Sequence, residues 1–248
     1  MELSTFFQIH PKTALAFSGG ADSSYLLYAA KKYGAEIKAY YVKSEFQPQF
    51  ELDDALHLAK DLSADMQILK AHVLESENVA ANPANRCYFC KKIIFETILE
   101  AAEKDGFSVL LDGTNASDDA DDRPGMRALK ELRVLSPLRE CGLDKKEIRR
   151  LSREAGLFTW DKPAYACLAT RISAGDQITE EKLQMTEAAE NYLFSLGFTD
   201  FRVRFAGSAA KLQLPAGQLC DVMKKREKII AELRKYYSAV LLDLEGRT

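Results

Sequence analysis

Ala14-Leu15-Ala16-Phe17, followed without a break by Ser18-Gly19-Gly20-Ala21-Asp22-Ser23-Ser24, decides how this chain is read. The apolar run predicts a short strand, the glycines a turn, and residues 24–33 a helix that stops before Gly34. The paired glycines allow positive φ and close backbone approach. The start of the following helix offers free N–H groups and a positive dipole end to an anion. Ser18, Ser23 and Ser24 add hydroxyl donors. Together these residues predict a phosphate cradle. No lysine follows, so this is not a Walker A loop, and the glycine spacing is not GxGxxG.

Outward from the loop, strand-like and helical runs alternate. Residues 36–42 and 66–71 read as strands, and residues 51–62 and 87–104 as helices, the latter stopped by Gly106. Residues 108–111 predict a strand, residues 134–135 a short one before Pro137, and residues 143–155 a helix stopped by Gly156. Such alternation predicts an α/β fold with a doubly wound parallel sheet, helices on both faces, over residues 1–160. The pattern changes after about Asp161. A loop at 162–178 leads to a helix capped by Thr179, with Glu180 and Glu181 in its first turn, ending at Leu196. Strands at 201–205 and 210–214, a helix at 216–237 and a strand at 239–244 complete a smaller C-terminal α+β domain over 161–248. Asp118, Asp119, Asp121 and Asp122 read as a solvated acidic loop.

The net charge of −3 gives no basic field, so a nucleic-acid partner is not expected. No apolar run approaches the roughly 18 residues that cross a bilayer. The first residues lack the basic-then-apolar pattern of a signal peptide, so a cytoplasmic location is expected. In that compartment the five cysteines are thiols, ligands or catalysts rather than disulfides.

Cys87-Tyr88-Phe89-Cys90 opens a helix after Asn82-Pro83-Ala84-Asn85-Arg86. Both thiols reach one side of a first turn, where the helix dipole favours thiolates. Cys167 lies in Lys162-Pro163-Ala164-Tyr165-Ala166-Cys167-Leu168-Ala169-Thr170-Arg171-Ile172, with small neighbours and an arginine near enough in sequence to stabilise a thiolate. A redox pair needs no third cysteine, a structural zinc wants four ligands, and an iron–sulfur cluster on three cysteines leaves one iron open. Cys141 and Cys220 read as small buried hydrophobes, and His10, His57 and His72 fall in no ligand spacing. Asp112, Gly113, Thr114 and Asn115 end a strand, where a doubly wound sheet binds ligands. Arg202 and Arg204 alternate on a strand and face one side, and their forks suit phosphate.

The string SGGADSS in its strand–turn–helix setting resembles the PP-loop ATP pyrophosphatase superfamily. That resemblance implies an adenine-nucleotide domain that uses ATP and Mg²⁺, cleaves between the α and β phosphates, and places Val42 near the adenine. The ordered strings NPANRCYFCK, DGTNASD, DRPG, SPL, WDKPAYACLATRI and RVRF extend the likeness over residues 12–222. They resemble the LarE family, ATP-dependent sulfur transferases of nickel-pincer nucleotide synthesis. The family implies a small-molecule substrate, a pyridinium dicarboxylate mononucleotide, whose carboxylate is adenylylated and then converted to a thiocarboxylate.

In such enzymes the sulfur comes either from a sacrificial cysteine at the position of Cys167 or from a 4Fe–4S cluster on three cysteines. Cys87 and Cys90 beside Cys167 favour the cluster. The resemblance also implies Ser18, Gly19, Gly20, Asp22, Ser23, Ser24, Val42, Gly113, Thr114, Asn115 and Arg123 as nucleotide-site residues. It implies Arg202 and Arg204 for the substrate phosphate, Glu190 and Asp221 near them, and a ring-like homo-oligomer. Lys211, Gln213 and Arg171-Ile172-Ser173-Ala174-Gly175 depart from the family pattern, which leaves the ATP chemistry untouched. A tRNA thiolase would call for a basic surface, an amide-forming synthetase for no cysteine constellation, and a non-catalytic metal or sulfur carrier for bound metal without pyrophosphate release.

Overall fold

The computed structural model describes residues 1–118 and 124–247. The chain forms two compact units, one of residues 1–79 and 84–162, the other of residues 80–83 and 163–248. The first unit holds strands β1 (Lys12–Ala16), β2 (Glu36–Lys43), β3 (Asp65–Lys70) and β4 (Leu110–Leu111). Its helices are α1 (Leu3–Ile9), α2 (Ala21–Lys32), α3 (Gln49–Asp61), α4 (Glu77–Ala80, which runs into the second unit), α5 (Arg86–Lys104), α6 (Pro124–Glu131), α7 (Pro137–Glu140) and α8 (Lys145–Glu154).

Among the described residues these strands make one parallel sheet in the order β3-β2-β1-β4. Thr13, Ala14 and Leu15 are all fully buried, as a strand covered on both faces requires. Leu15 pairs with Ala39 on one side and Leu111 on the other. Beyond β4, residues 134–135 contribute only a parallel bridge, Leu111 to Leu135. The core gathers Leu15, Leu26, Leu27, Tyr41, Leu58 and Ile148 from strands and helices alike. Helix α1, outside the elements expected from the sequence, joins that core through Leu3, Phe6 and Phe7.

The order of the strands positions the site. The chain steps outward from β1 through β2 to β3, then returns to the other side of β1 as β4. The winding reverses between β1 and β4, and ligands bind outside the carboxyl ends of the strands at such a point.

The second unit carries α9 (Glu180–Ser195), β5 (Arg202–Ala206), β6 (Ala209–Gln213), α10 (Leu219–Lys224), α11 (Arg226–Leu233) and β7 (Val240–Leu242). Strands β5 and β6 form an antiparallel hairpin, and β7 joins β6 in parallel. Thr179 caps α9 as expected, its side chain accepting from the Lys182 amide. Leu193, Phe201, Val203, Leu212, Ile229 and Leu233 form part of this unit's own core.

The short segment 80–83 belongs here because Asn82 is sewn into it. Its side-chain amide donates to the carbonyls of Ser173 at 2.7 Å, Asp176 at 3.2 Å and Ile172 at 3.4 Å. Its own carbonyl accepts from the Gly175 amide at 2.8 Å. Asn82 adopts φ 51°, a left-handed conformation that asparagine tolerates better than most residues.

Three expectations are corrected. The helix expected over 216–237 is broken into a 3-10 turn, Ala216–Gln218, and then α10 and α11. Lys225 separates the two helices with φ −103°, and its ammonium turns away to the Leu196 carbonyl, so a tertiary contact interrupts the helix. The stretch 162–178 is not wholly irregular, because Leu168–Arg171 makes a 3-10 turn. Cys220 is exposed and Cys141 only half-buried, so neither is the fully buried hydrophobe expected of it. No described helix is long and apolar enough to cross a membrane.

Asn82→Gly keeps the left-handed backbone and removes only the side-chain donors. It is expected to destabilise the second unit by about 2–3 kcal/mol, measured as a lowered urea midpoint of that unit's unfolding. An unchanged midpoint would show that the three carbonyls find other donors.

Candidate active site

The phosphate loop has the shape its sequence requires. Gly19 sits at φ +70°, and a Cβ there would stand 3.0 Å from the Cβ of Ala55 on α3. A Cβ on Gly113 would stand 3.0 Å from the amide nitrogen of Ser23. The loop after β4 therefore lies against the loop after β1 at backbone distance. Ser18 Oγ accepts from the Gly20 amide at 3.3 Å and lies 3.0 Å from Ser23 Oγ, which donates to the Gly20 carbonyl at 3.2 Å. No side chain caps α2 at Gly20, which leaves its first turn to an anion. Ser24 Oγ is buried with no hydrogen-bond partner.

Asp22 has two differently employed oxygens. Oδ2 accepts from Lys145 Nζ at 2.6 Å and from Asn115 Nδ2 at 3.4 Å. Oδ1 is buried and has no partner. An unpartnered carboxylate oxygen beside an anion cradle suits a hard divalent cation, so these residues fit ATP with Mg²⁺.

Around it, Asp112 is buried and accepts from Ser136 Oγ at 2.6 Å and from the Thr114 hydroxyl. Asn115 accepts from the Ser117 amide, and its own amide donates to Asp118. Asp118 is thus part of the loop's framework rather than a solvated charge. Val42 is buried near the end of β2. Arg123, with Asp119, Asp121 and Asp122, lies outside the described residues.

Lys145 and Ser136 were not singled out from the sequence. The signal for Lys145 was present: it follows the cap Asp144 directly, in the first turn of α8, where a cation opposes the helix dipole.

Cys87 and Cys90 stand three residues apart in the opening turn of α5, the first exposed and the second buried. No cysteine is in a disulfide. Among the described residues, no three or more of His, Cys, Asp and Glu are gathered so as to hold a metal ion.

In the second unit Cys167 is half-buried and begins the 3-10 turn Leu168–Arg171. The backbone around it is held by guanidinium groups. Arg171, fully buried, forks onto Glu190 with Nε to Oε1 at 2.8 Å and Nη2 to Oε2 at 2.9 Å. Its remaining nitrogen donates to the carbonyls of Ala166 at 2.7 Å and Cys167 at 3.4 Å. Arg202 donates to the Ala164 carbonyl, and Arg204 to the Thr170 carbonyl and to Gln213. The Tyr165 ring lies 4.5 Å from the Arg171 guanidinium and 5.0 Å from that of Arg202, and its hydroxyl donates to Glu190.

Burial depresses Arg171 most, but the hydrogen bonds and charge of Glu190 outweigh it and the net displacement is upward. Arg202 falls to about 10, first through burial and then through the like charges of Arg171 and Arg247. Arg204 also falls, for the same reasons. The cluster carries more positive than negative charge, which an anionic ligand would relieve.

Glu190 is 1% exposed and has its oxygens engaged by Arg171, Tyr165 and the Val203 amide at 2.9 Å. It positions the loop that holds Cys167. Asp221 is half-buried on α10 and paired with Lys224 at 2.9 Å.

Glu190→Gln leaves Arg171 buried without its counter-charge, and is expected to cost about 3–5 kcal/mol of stability. The second unit's urea midpoint should fall, and iodoacetamide should modify Cys167 faster. An unchanged midpoint and rate would show that the fork does not hold the loop.

No protein-family profile matches the chain. A pyridinium-3,5-bisthiocarboxylic acid mononucleotide synthase of Lactiplantibacillus plantarum is 32% identical over 95% of this chain and 86% of its own length. An uncharacterised protein of Synechocystis sp. is 35% identical over 98% of this chain and 92% of its own. A tRNA-specific 2-thiouridylase of Clostridium botulinum is 28% identical over 60% of this chain and 51% of its own. A likeness of this strength covers nearly the whole chain, and the chain belongs to the LarE family of ATP-dependent sulfur transferases, within the PP-loop superfamily.

Proposed function

We propose that this protein activates a carboxylate of a pyridinium dicarboxylate mononucleotide with ATP and replaces one of its oxygens with sulfur. The observation that carries the reading is the phosphate loop, with its open helix turn and the unpartnered Asp22 Oδ1 beside it. A carboxylate is a poor electrophile at neutral pH. Its oxygen attacks the α-phosphorus of ATP, the bond to the β-phosphate breaks, and pyrophosphate leaves. The acyl-adenylate that results has AMP as a good leaving group. A sulfur nucleophile attacks the acyl carbon, AMP departs with the carboxylate oxygen, and a thiocarboxylate remains.

Within this scheme the loop residues Ser18, Gly19, Gly20, Ser23 and Ser24 hold the pyrophosphate portion, with Gly113, Thr114 and Asn115 beside them. Asp22 offers its spare oxygen to Mg²⁺. Arg202 and Arg204 bring positive charge to the substrate's phosphate, consistent with the depressed values that burial and crowding give them. Glu190 and Arg171 act through the backbone of the Cys167 loop. The net charge of −3 supports a small nucleotide over tRNA as the substrate.

For the sulfur, we favour a 4Fe–4S cluster with Cys87, Cys90 and Cys167 as ligands, on the likeness to the LarE family and not on the structure, which gathers no metal-holding group among its described residues. Three thiolates are a donor set that suits iron and sulfide, and the cluster when bound supplies the sulfide to be transferred. Protein purified without oxygen is expected to carry about four irons and as much acid-labile sulfide per chain, and Cys87→Ala to lose both. Iron-free protein whose Cys167 becomes dehydroalanine after one round with ATP and substrate would overturn the cluster in favour of sacrifice of that cysteine. ATP-dependent pyrophosphate release that requires tRNA or ammonia instead would overturn the substrate.

A further inference from the structure

The segment Ser18 to Ser24 contains no lysine or arginine, yet it carries a carboxylate, Asp22. A carboxylate beside a phosphate-binding turn repels an anionic ligand unless a cation stands with it. The structure places one there. Lys145 Nζ lies 2.6 Å from Asp22 Oδ2, joined across 123 residues of sequence.

Lys145 is held in that position by contacts along its backbone. Asp144 caps α8 through the Glu147 amide at 2.7 Å. The Lys145 amide donates to Ser117 Oγ at 2.8 Å, and the Ala116 amide donates to the Leu143 carbonyl at 2.8 Å. Asn115, in the same loop as Ser117, also reaches Asp22. The start of α8, the loop after β4 and the phosphate loop thus converge on one carboxylate.

Neither local energetics nor stability explains the lysine. A cation in the first turn of a helix opposes the dipole. An ion pair that keeps this much exposure, 36% for the lysine side chain and 21% for the aspartate, adds little stability. The same exposure leaves the lysine side chain open to a ligand.

We propose that Lys145 is the phosphate-binding cation of this nucleotide site: α8 delivers the ammonium that the loop itself lacks, and Asp22 holds it where the β- and γ-phosphates arrive. The inference rests on the ATP reading above and adds a residue to it. An ammonium has three donors, so it serves a phosphate oxygen without giving up Asp22. When the α–β bond breaks, negative charge builds on the leaving pyrophosphate, and a fixed cation beside it stabilises that charge.

The test is titration calorimetry with Mg²⁺ and either ATP or AMP on the full chain, wild type and variants. Lys145→Met should weaken ATP binding about 10- to 100-fold while AMP, which lacks the outer phosphates, changes by less than about threefold. Lys145→Gln, which keeps a donor for Asp22 without the charge, should show the same ATP-selective loss, and Lys145→Arg should retain most of the affinity. Equal losses for ATP and AMP would make the lysine a structural tie and overturn the proposal. Undiminished ATP binding in Lys145→Met and Lys145→Gln would overturn it as well. Wild-type protein that binds neither nucleotide would overturn the ATP reading on which the proposal stands.

Discussion

A Cβ on Gly113 would meet the amide nitrogen of Ser23 at 3.0 Å, and one on Gly19 would meet Ala55 at the same distance. A side chain at either point would force its neighbour to give way. The loops that leave β1 and β4 can therefore lie backbone to backbone, which holds Ser23 and the start of α2 beside the residues 112–115. The pairing of Leu15 with Leu111 brings those loops out at the same level. Asp22 then comes within reach of Asn115 and Lys145, which the sequence separates widely. The site in this unit follows from close approach, with charge added afterwards.

The second unit is organised the other way round, by charge placed inside. The loop at 164–170 has only the 3-10 turn Leu168–Arg171 to satisfy its carbonyls, and part-buried carbonyls need donors. Arg171, Arg202 and Arg204 supply them at Ala164, Ala166, Cys167 and Thr170. A buried guanidinium is tolerable only with a partner of matching geometry, and Glu190 provides the fork. The loop that carries Cys167 is thus fixed by Arg171 from four residues away and by Arg202, Arg204 and Glu190 from far along the sequence.

The parts that were legible in the sequence are those whose causes are local. Two glycines before a serine-rich helix start, a run of apolar residues covered on both faces, and Thr179 followed by glutamates each announce their own geometry. Arg202 and Arg204 alternate on β5, and both reach the loop at 164–170 as that alternation requires. What escaped depends on distant partners. The helix expected through 237 breaks at Lys225, whose ammonium reaches the Leu196 carbonyl, and resumes as α11. Glu190 read as a residue beside a phosphate, since its pairing with buried Arg171 leaves no trace in spacing. Lys145 shows its oddity in the sequence, a cation in a helix's first turn, but only the fold carries it to Asp22.

Residues 80–83 leave the first unit, join the second, and return. The two units are therefore not successive beads. A gene cut at codon 162 would give an N-terminal fragment with the Asn82 amide unmet, and a C-terminal fragment with bare carbonyls at Ile172, Ser173 and Asp176. On the ribosome the same four residues emerge long before their partners, so their final conformation waits until residues 172–178 have been made. Any chimera that exchanges the second unit between relatives has to move both segments together.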